Sequence, residues 1–414
     1  MKIAIITSGF LPVIDGVTVS GLNRLQTLSR WGHQVLLFCP DYSAIENIYP
    51  NWQEYTGNIL PGVNIISLVS QPFMDLDFER NVSYCSYKQL LQELTQFQPD
   101  IIHVDEPERL CFLGFWRAAG VDYAKAAGIP CVSFYRTNFL EYIDDFFPFP
   151  KFIRSTILIF VLRRLVLYIY NSYDVTLVSS PITHQKIIKI GIRNTLYANL
   201  LGVDTSQFNP KLRQPGYFQK QYGFNSLESC IKLIFLGRLT PDKGWGFTLQ
   251  AFERLLQSIG AEKLAVIVAG DGPLRNEIQT RLSGLLPHVH VLGRVAPQSI
   301  PALLANCDIH VTTSQKEARG LTILEAFASG IPVIAPRAGG VVENIKEGWN
   351  GFLFTPNDED DFIQKLQQLI EDRELRQTMG ERGRAFIKNY SWDETVQNLI
   401  EIWKAQIAQK QAHS

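Results

Sequence analysis

The sequence predicts an α/β protein made of two successive Rossmann-like units with parallel sheets, and three observations predict it. The chain has 414 residues, more than one hydrophobic core usually organises. Short runs rich in Ile and Val alternate with helical patterns from the first residues onward, which points to a parallel sheet covered on both faces. The alternation stops in a loop rich in Gly, Pro, Asn and Gln (Gly202–Ser229) and starts afresh near Ile231. The expected division is residues 1–205, residues 206–390 and a terminal segment 391–414.

In the first series, strands are expected at Lys2–Thr7, Gln34–Pro40, Val63–Val69, Asp100–Asp105, Pro130–Thr137 and Asp174–Ser180, with helices including Gly21–Gly32 and Tyr87–Phe97 between them. The segment Gly9-Phe-Leu-Pro-Val-Ile-Asp-Gly16 follows the first strand. It is not Gly-x-Gly-x-x-Gly, which argues against a dinucleotide site. A loop with glycines at 9, 16 and 21 can still bring backbone N–H groups close to a phosphate at the carboxyl end of a strand. The second series reads Ile231–Leu239, Leu264–Gly270, Val289–Arg294, Ile309–Ser314, Pro332–Pro336 and Gly351–Phe354. Asp361–Arg373 and Glu374–Asn389 read as helices. Tyr390-Ser-Trp392 then breaks the pattern before a last helix of about 20 residues.

Charge is balanced, 39 basic against 40 acidic residues, so nothing calls for a nucleic-acid partner. Six cysteines lack Cys-x-x-Cys spacing and read as reduced thiols, mostly buried. Met-Lys leads straight into a strand without signal-peptide architecture, so a cytoplasmic protein is expected. Thr156–Tyr170 is strongly apolar, but Arg163-Arg164 interrupts it well short of a membrane span. Lys151, Arg154, Arg163 and Arg164 fall at widely different helical angles. A mostly buried helix is therefore expected, with weak peripheral membrane contact as the other reading.

The chemistry concentrates in the second series. Glu317-Ala-Arg-Gly-Leu-Thr-Ile-Leu-Glu325 follows an apolar strand and reads as a strand–loop–helix junction. The amides of Gly320, Leu321 and Thr322 would open the helix, where the first turn lacks intrahelical partners and carries partial positive charge. That makes an anion site flanked by two hydrogen-bond acceptors, Glu317 and Glu325. Gly237-Arg238-Leu-Thr-Pro-Asp-Lys243-Gly244 closes the first strand of the series, and its two cations can neutralise a pyrophosphate. Gly270-Asp-Gly272-Pro273 and Gly293-Arg294 end the next strands and shape the pocket. Asp75-Leu-Asp77 has the spacing of some metal-dependent transferases but reads as a loop, and no His or carboxylate cluster has metal-ligand spacing.

Glu317 and Glu325, with Pro332-Val-Ile-Ala-Pro-Arg-Ala-Gly-Gly340 behind them, resemble the Glu-x7-Glu signature and following glycine turn of retaining glycosyltransferase family 4. The resemblance covers nearly the whole chain and is strongest over residues 231–356. It implies the GT-B fold, two facing Rossmann-like domains with an interdomain cleft, and a last helix that returns to the N-terminal domain. It implies a nucleotide-sugar donor, with a UDP-sugar expected, and a hydroxyl-bearing lipid or small-molecule acceptor; nothing in the sequence requires a metal or a separate cofactor. By that resemblance Arg238 and Lys243 bind the pyrophosphate and Gly16 approaches it. Gly237 lies in that pyrophosphate turn and Gly272 in a turn shaping the pocket; Gly293-Arg294 match where members hold the base, Glu317 orients the sugar and Glu325 the ribose. The chain departs from the family at Arg319, where Phe is usual, and at Phe134-Tyr-Arg136-Thr-Asn138, where a His is usual. Arg136 is a candidate catalytic cation, or else an ion-pair partner of Glu141, Asp144 or Asp145. Two rivals stay open: another GT-B enzyme, such as an epimerase or phosphorylase, and a non-catalytic sugar-nucleotide binding module.

Overall fold

The computed structural model describes residues 1–73, 76–110, 117–136, 159–225, 227–317 and 320–412. It resolves into two compact units, Met1–Leu201 with Trp392–Ser414, and Gly202–Ser391.

The first unit carries an eight-stranded sheet: β1 (Lys2–Thr7), β2 (Gln34–Pro40), β3 (Gly57–Leu60), β4 (Val63–Leu68), β7 (Ile101–Asp105), β8 (Cys131–Tyr135), β9 (Val175–Val178) and β10 (Thr195–Tyr197). Its order is β10-β9-β8-β7-β1-β2-β4-β3, parallel except for the β3–β4 pair. The strands are apolar at nearly every position because helices cover both faces. A separate antiparallel ribbon joins β5 (Ser70–Phe73) and β6 (Leu76–Val82). Asp77 therefore lies on a strand, where a loop was expected, because the ribbon's ladder engages this stretch; Asp75 lies outside the described residues.

Helix α1 (Gly16–Arg30) begins five residues before the expected Gly21. The cause is Asp15, whose carboxylate accepts from the amides of Val17 and Thr18 while the Thr18 hydroxyl closes the capping box. Gly16 is thus the first helical residue and not a loop glycine. The other helices used below are α2 (Tyr87–Phe97), α3 (Ile159–Tyr170), α4 (Pro181–Ile190), α5 (Trp245–Ser258), α6 (Leu321–Ala328), α7 (Glu359–Glu371), α8 (Arg373–Phe386) and α9 (Trp392–Ala412). α9 belongs to the first unit. It buries Val396, Leu399, Ile400 and Trp403 beside Leu25 and Leu28 of α1. Removing an indole as buried as that of Trp403 costs about 3–5 kcal/mol.

The second unit carries a six-stranded all-parallel sheet: β11 (Ile231–Leu236), β12 (Leu264–Ala269), β13 (Val289–Gly293), β14 (Ile309–Val311), β15 (Val333–Pro336) and β16 (Gly351–Phe354). The order β13-β12-β11-β14-β15-β16 reverses direction between β11 and β14. Crossovers on the two sides of that point leave by opposite faces, so the loops at the carboxyl ends of β11 and β14 part and leave a crevice. In the first sheet the same reversal falls between β1 and β7.

Candidate functional site

In the second unit the predicted residues gather at this switch point. The turn after β11 holds Gly237, Arg238 and Lys243, and the loop after β14 holds Glu317 and leads into α6. Thr313, just past β14, fastens the two together. Its hydroxyl lies 3.0 Å from the carbonyl oxygen of Lys243 and 3.2 Å from that of Gly244, and 2.8 Å from the hydroxyl of Thr248 on α5. Gly244 has φ +77, and a Cβ there would lie 2.4 Å from the Thr313 carbonyl oxygen, so only glycine permits this approach. With the turn held in place, the Lys243 ammonium donates to the Glu317 carboxylate and lies 3.9 Å from Asp242.

Glu317 is fixed from behind: its carbonyl accepts from the Gly340 amide at 2.8 Å. Its side chain stays 26% exposed and is paired with Lys243, leaving carboxylate surface open for a ligand. Gly320 precedes α6 with φ 67, and no side chain caps the helix. The first-turn amides of Leu321 and Thr322 are therefore open to an anion. The contrast with α1 is instructive, because there an anionic cap, Asp15, already occupies the Val17 and Thr18 amides beside Gly16.

Two buried groups complete this side of the site. His310 on β14 has its Nδ1 3.1 Å from the Ile234 carbonyl and its Nε2 3.2 Å from the Thr322 hydroxyl. Burial lowers its pKa to about 4, so the ring is neutral at pH 7. Nδ1–H donates to the carbonyl, and Nε2 accepts from Thr322, which fixes the start of α6. Glu325 is 8% exposed, and among the described residues no group hydrogen-bonds its carboxyl. Burial alone raises its carboxyl to about 7. An unpaired buried acceptor of this kind is poised for a ligand's hydroxyl groups.

Gly270 and Gly272 let the loop after β12 lie against the turn after β11. Leu274 donates to the Leu239 carbonyl and Leu239 to the Asp271 carbonyl. Arg294, at the end of β13, sits 3.7 Å from the Asp271 carboxylate. Arg319 lies outside the described residues. Among the described residues no group of three or more His, Cys, Asp or Glu is arranged to hold a metal ion.

The first unit holds Gly16 and Arg136 in contact. Arg136, just past β8, donates to the Gly16 carbonyl at 3.4 Å and to the Ser20 hydroxyl, both on the first turns of α1. Its acidic partner is Asp105 at 3.7 Å; Glu141, Asp144 and Asp145 lie outside the described residues. Asp105 also pairs with Arg24 and accepts from His103 Nε2 at 3.1 Å. Burial works to raise the Asp105 carboxyl, but Arg24, His103 and Arg136 together hold it well below the usual range. The indole of Trp403 donates to His103 Nδ1 at 3.3 Å, so α9 fixes the tautomer that faces Asp105. Sequence reading missed Asp105, His103, Trp403, His310 and Thr313. The usable signal for Asp105 and Thr313 was position at or just beyond the carboxyl end of β7 or β14; His103 and His310, inside those strands, and Trp403 carried none.

Comparison with known proteins places this geometry in context. Two family models match in succession, Glycosyltransferase Family 4 over residues 14–207 and Glycosyl transferases group 1 over residues 223–386. The sulfoquinovosyl transferase of Arabidopsis thaliana is 30% identical over 309 residues, 73% of this chain; the match spans only 56% of that protein. A GDP-mannose-dependent alpha-mannosyltransferase of Corynebacterium glutamicum is 26% identical over 411 residues, 99% of this chain and 90% of that one. The alpha-monoglucosyldiacylglycerol synthase of Streptococcus pneumoniae is 25% identical over 338 residues, 81% of this chain and 71% of that one. Among solved structures, Anabaena HepE in complex with UDP and glucose superposes with a TM-score of 0.72 at 20% identity, over 98% of this chain and 99% of that one.

Proposed function

The chain belongs to glycosyltransferase family 4, and on that premise we propose that it moves a sugar from a UDP-sugar to a hydroxyl of a lipid or small-molecule acceptor, with retention at the anomeric carbon. The observation that carries the reading is the contact between Lys243 and Glu317, residues 74 apart in sequence, at a sheet's switch point beside an uncapped helix start. Arg238, Lys243 and the Leu321–Thr322 amides take up the charge that builds on the departing diphosphate. Preorganised charge of this kind is usually the largest single catalytic contribution. Glu317 receives the sugar hydroxyls, and Glu325 the ribose hydroxyls. Gly237 lies in the phosphate turn, Gly272 shapes the pocket and Gly293-Arg294 border the base. The acceptor attacks from the leaving-group face, and the diphosphate takes its proton.

A relative named alpha-monoglucosyldiacylglycerol synthase supports a lipid acceptor, and a relative named for GDP-mannose makes the base the point to test. The deciding experiment measures nucleotide release from UDP-, GDP- and ADP-sugars, with and without glycolipid and soluble acceptors. Acceptor-stimulated UDP release upholds the reading. A changed sugar without an acceptor indicates an epimerase, and binding without turnover a non-catalytic module.

A further inference from the structure

Most of the strongly exposed large apolar side chains among the described residues fall in one stretch of the first unit, residues 160–197. On α3 they are Phe160 (58% exposed), Val161 and Tyr168 (59%). On α4 they are Ile182 and Ile188, and on β10 Leu196 and Tyr197. These elements are neighbours. Tyr170, Val166 and Ile187 share one small core, and Arg163 of α3 donates to the Ile190 carbonyl at the end of α4 at 3.0 Å. β10 is the edge strand of the sheet.

The charge on the same stretch is one-sided. Arg163, Arg164, Lys186, Lys189 and Arg193 are all exposed, and the one acid between residues 159 and 197 is Asp174. Asp174 is engaged by Lys410 of α9 at 2.7 Å. Phe160, Arg164 and Tyr168 recur every fourth residue, which stacks them on one face of α3, with the Arg164 guanidinium 5.1 Å from the Phe160 ring centroid. No basic face shows along a single helix of the sequence. The face is built from two helices and a strand edge, with rings and aliphatic chains interleaved with cations.

We propose that this face, α3, α4 and β10, docks the protein on an anionic lipid surface. Apolar side chains enter the headgroup boundary while the cations meet lipid phosphates, the combination by which interfacial helices bind without spanning. No helix among the described residues is long and apolar enough to cross a membrane, which agrees with docking on the surface. The proposal rests on this surface and not on the acceptor reading above.

The test is co-sedimentation of the full chain with vesicles of phosphatidylcholine alone and of phosphatidylcholine mixed equally with phosphatidylglycerol, at low and high salt. Binding is expected to the mixed vesicles alone and to fall with salt. A cation beside an anionic leaflet contributes roughly fivefold in partitioning, so Arg164→Glu with Lys189→Glu should weaken it by more than about tenfold. Phe160→Asp with Tyr168→Asp should abolish it. Donor hydrolysis in solution should be unchanged in both double variants, which shows them folded and separates this outcome from any failure of the enzymatic reading. The absence of sedimentation, binding that survives both double variants, or self-association that the apolar pair abolishes in the absence of lipid would each overturn the proposal.

Discussion

The Lys243 ammonium and the Glu317 carboxylate meet although 74 residues separate them, and the contact joins the two motifs that sequence reading assigned to phosphate and sugar. Each group leaves the other partly exposed, at 19% and 26%, so the pair holds a geometry without sealing it from a ligand.

From this follows a difference between the two residues. Lys243→Ala and Arg238→Ala are expected to lower kcat by about 10²–10³, because charge placed for the departing diphosphate acts on the transition state. Glu317→Gln should lower kcat comparably while the Kd for UDP stays within about threefold, since its proposed role lies at the sugar. Melting temperatures should move little, as partly exposed ion pairs contribute at most about 1 kcal/mol. Steady-state kinetics and UDP titration check this, and equal loss of UDP affinity in the Glu317 variant would misplace it.

On the proposed reading, Arg238, Lys243 and the open start of α6 meet the charge on the diphosphate without a metal. Chelation by EDTA is therefore expected to leave turnover within about twofold, under ~0.5 kcal/mol by rate arithmetic. Loss of activity with rescue by Mn²⁺ or Mg²⁺ would show that these groups do not suffice.

Glu325 gives a pH signature. Burial raises its carboxyl from 4.5 to about 7, so the folded state holds a proton there that the unfolded chain has lost. The stability contributed by that proton is full below pH 4.5 and disappears as pH rises through about 7. Donor binding should run the other way. Ribose hydroxyls donate to the carboxylate, so affinity should weaken towards about tenfold per pH unit once pH falls below about 7. Titration calorimetry across pH tests this, and Glu325→Gln should flatten the dependence. A slope that persists in that variant would assign the proton elsewhere.

What the sequence reveals of this molecule follows from which features are local. Strand–loop–helix junctions, an uncapped helix start and glycines at tight approaches are written in adjacent residues, so Gly237–Gly244 and Glu317–Glu325 can be read directly. Capping is equally local, and the Asp15–Thr18 box marks the start of α1 at Gly16 and not at Gly21. Tertiary partners are not local. His310 takes its role from Ile234 and Thr322, and Asp105 from Arg24 and Trp403-held His103, contacts that appear only when strands align. The α3–α4 face is illegible for the same reason.

Arg136 was read as a free catalytic cation or a local ion pair, and its geometry argues a different role. It grips the first turns of α1 through Gly16 and Ser20 and leans on Asp105, which Arg24 also holds. Removing it does not orphan Asp105, so Arg136→Ala should lose roughly 1–3 kcal/mol of stability, the scale of lost charged hydrogen bonds, and remain folded. It should also lose roughly 2–3 kcal/mol in kcat/KM if turnover depends on the first turns of α1 being held in place. Arg136→Lys should recover part of both, and Arg136→His little, because one ring cannot reach the Gly16 carbonyl, Ser20 and Asp105 together. Ser20→Ala tests the route. If Arg136 acts through α1, the single variants and the Arg136→Ala, Ser20→Ala double variant should couple by about 0.5–3 kcal/mol in kcat/KM. Additive losses would mean that Arg136 meets the substrate directly. An alanine variant within about threefold of wild type, under ~1 kcal/mol, would leave it a structural cation with no part in turnover.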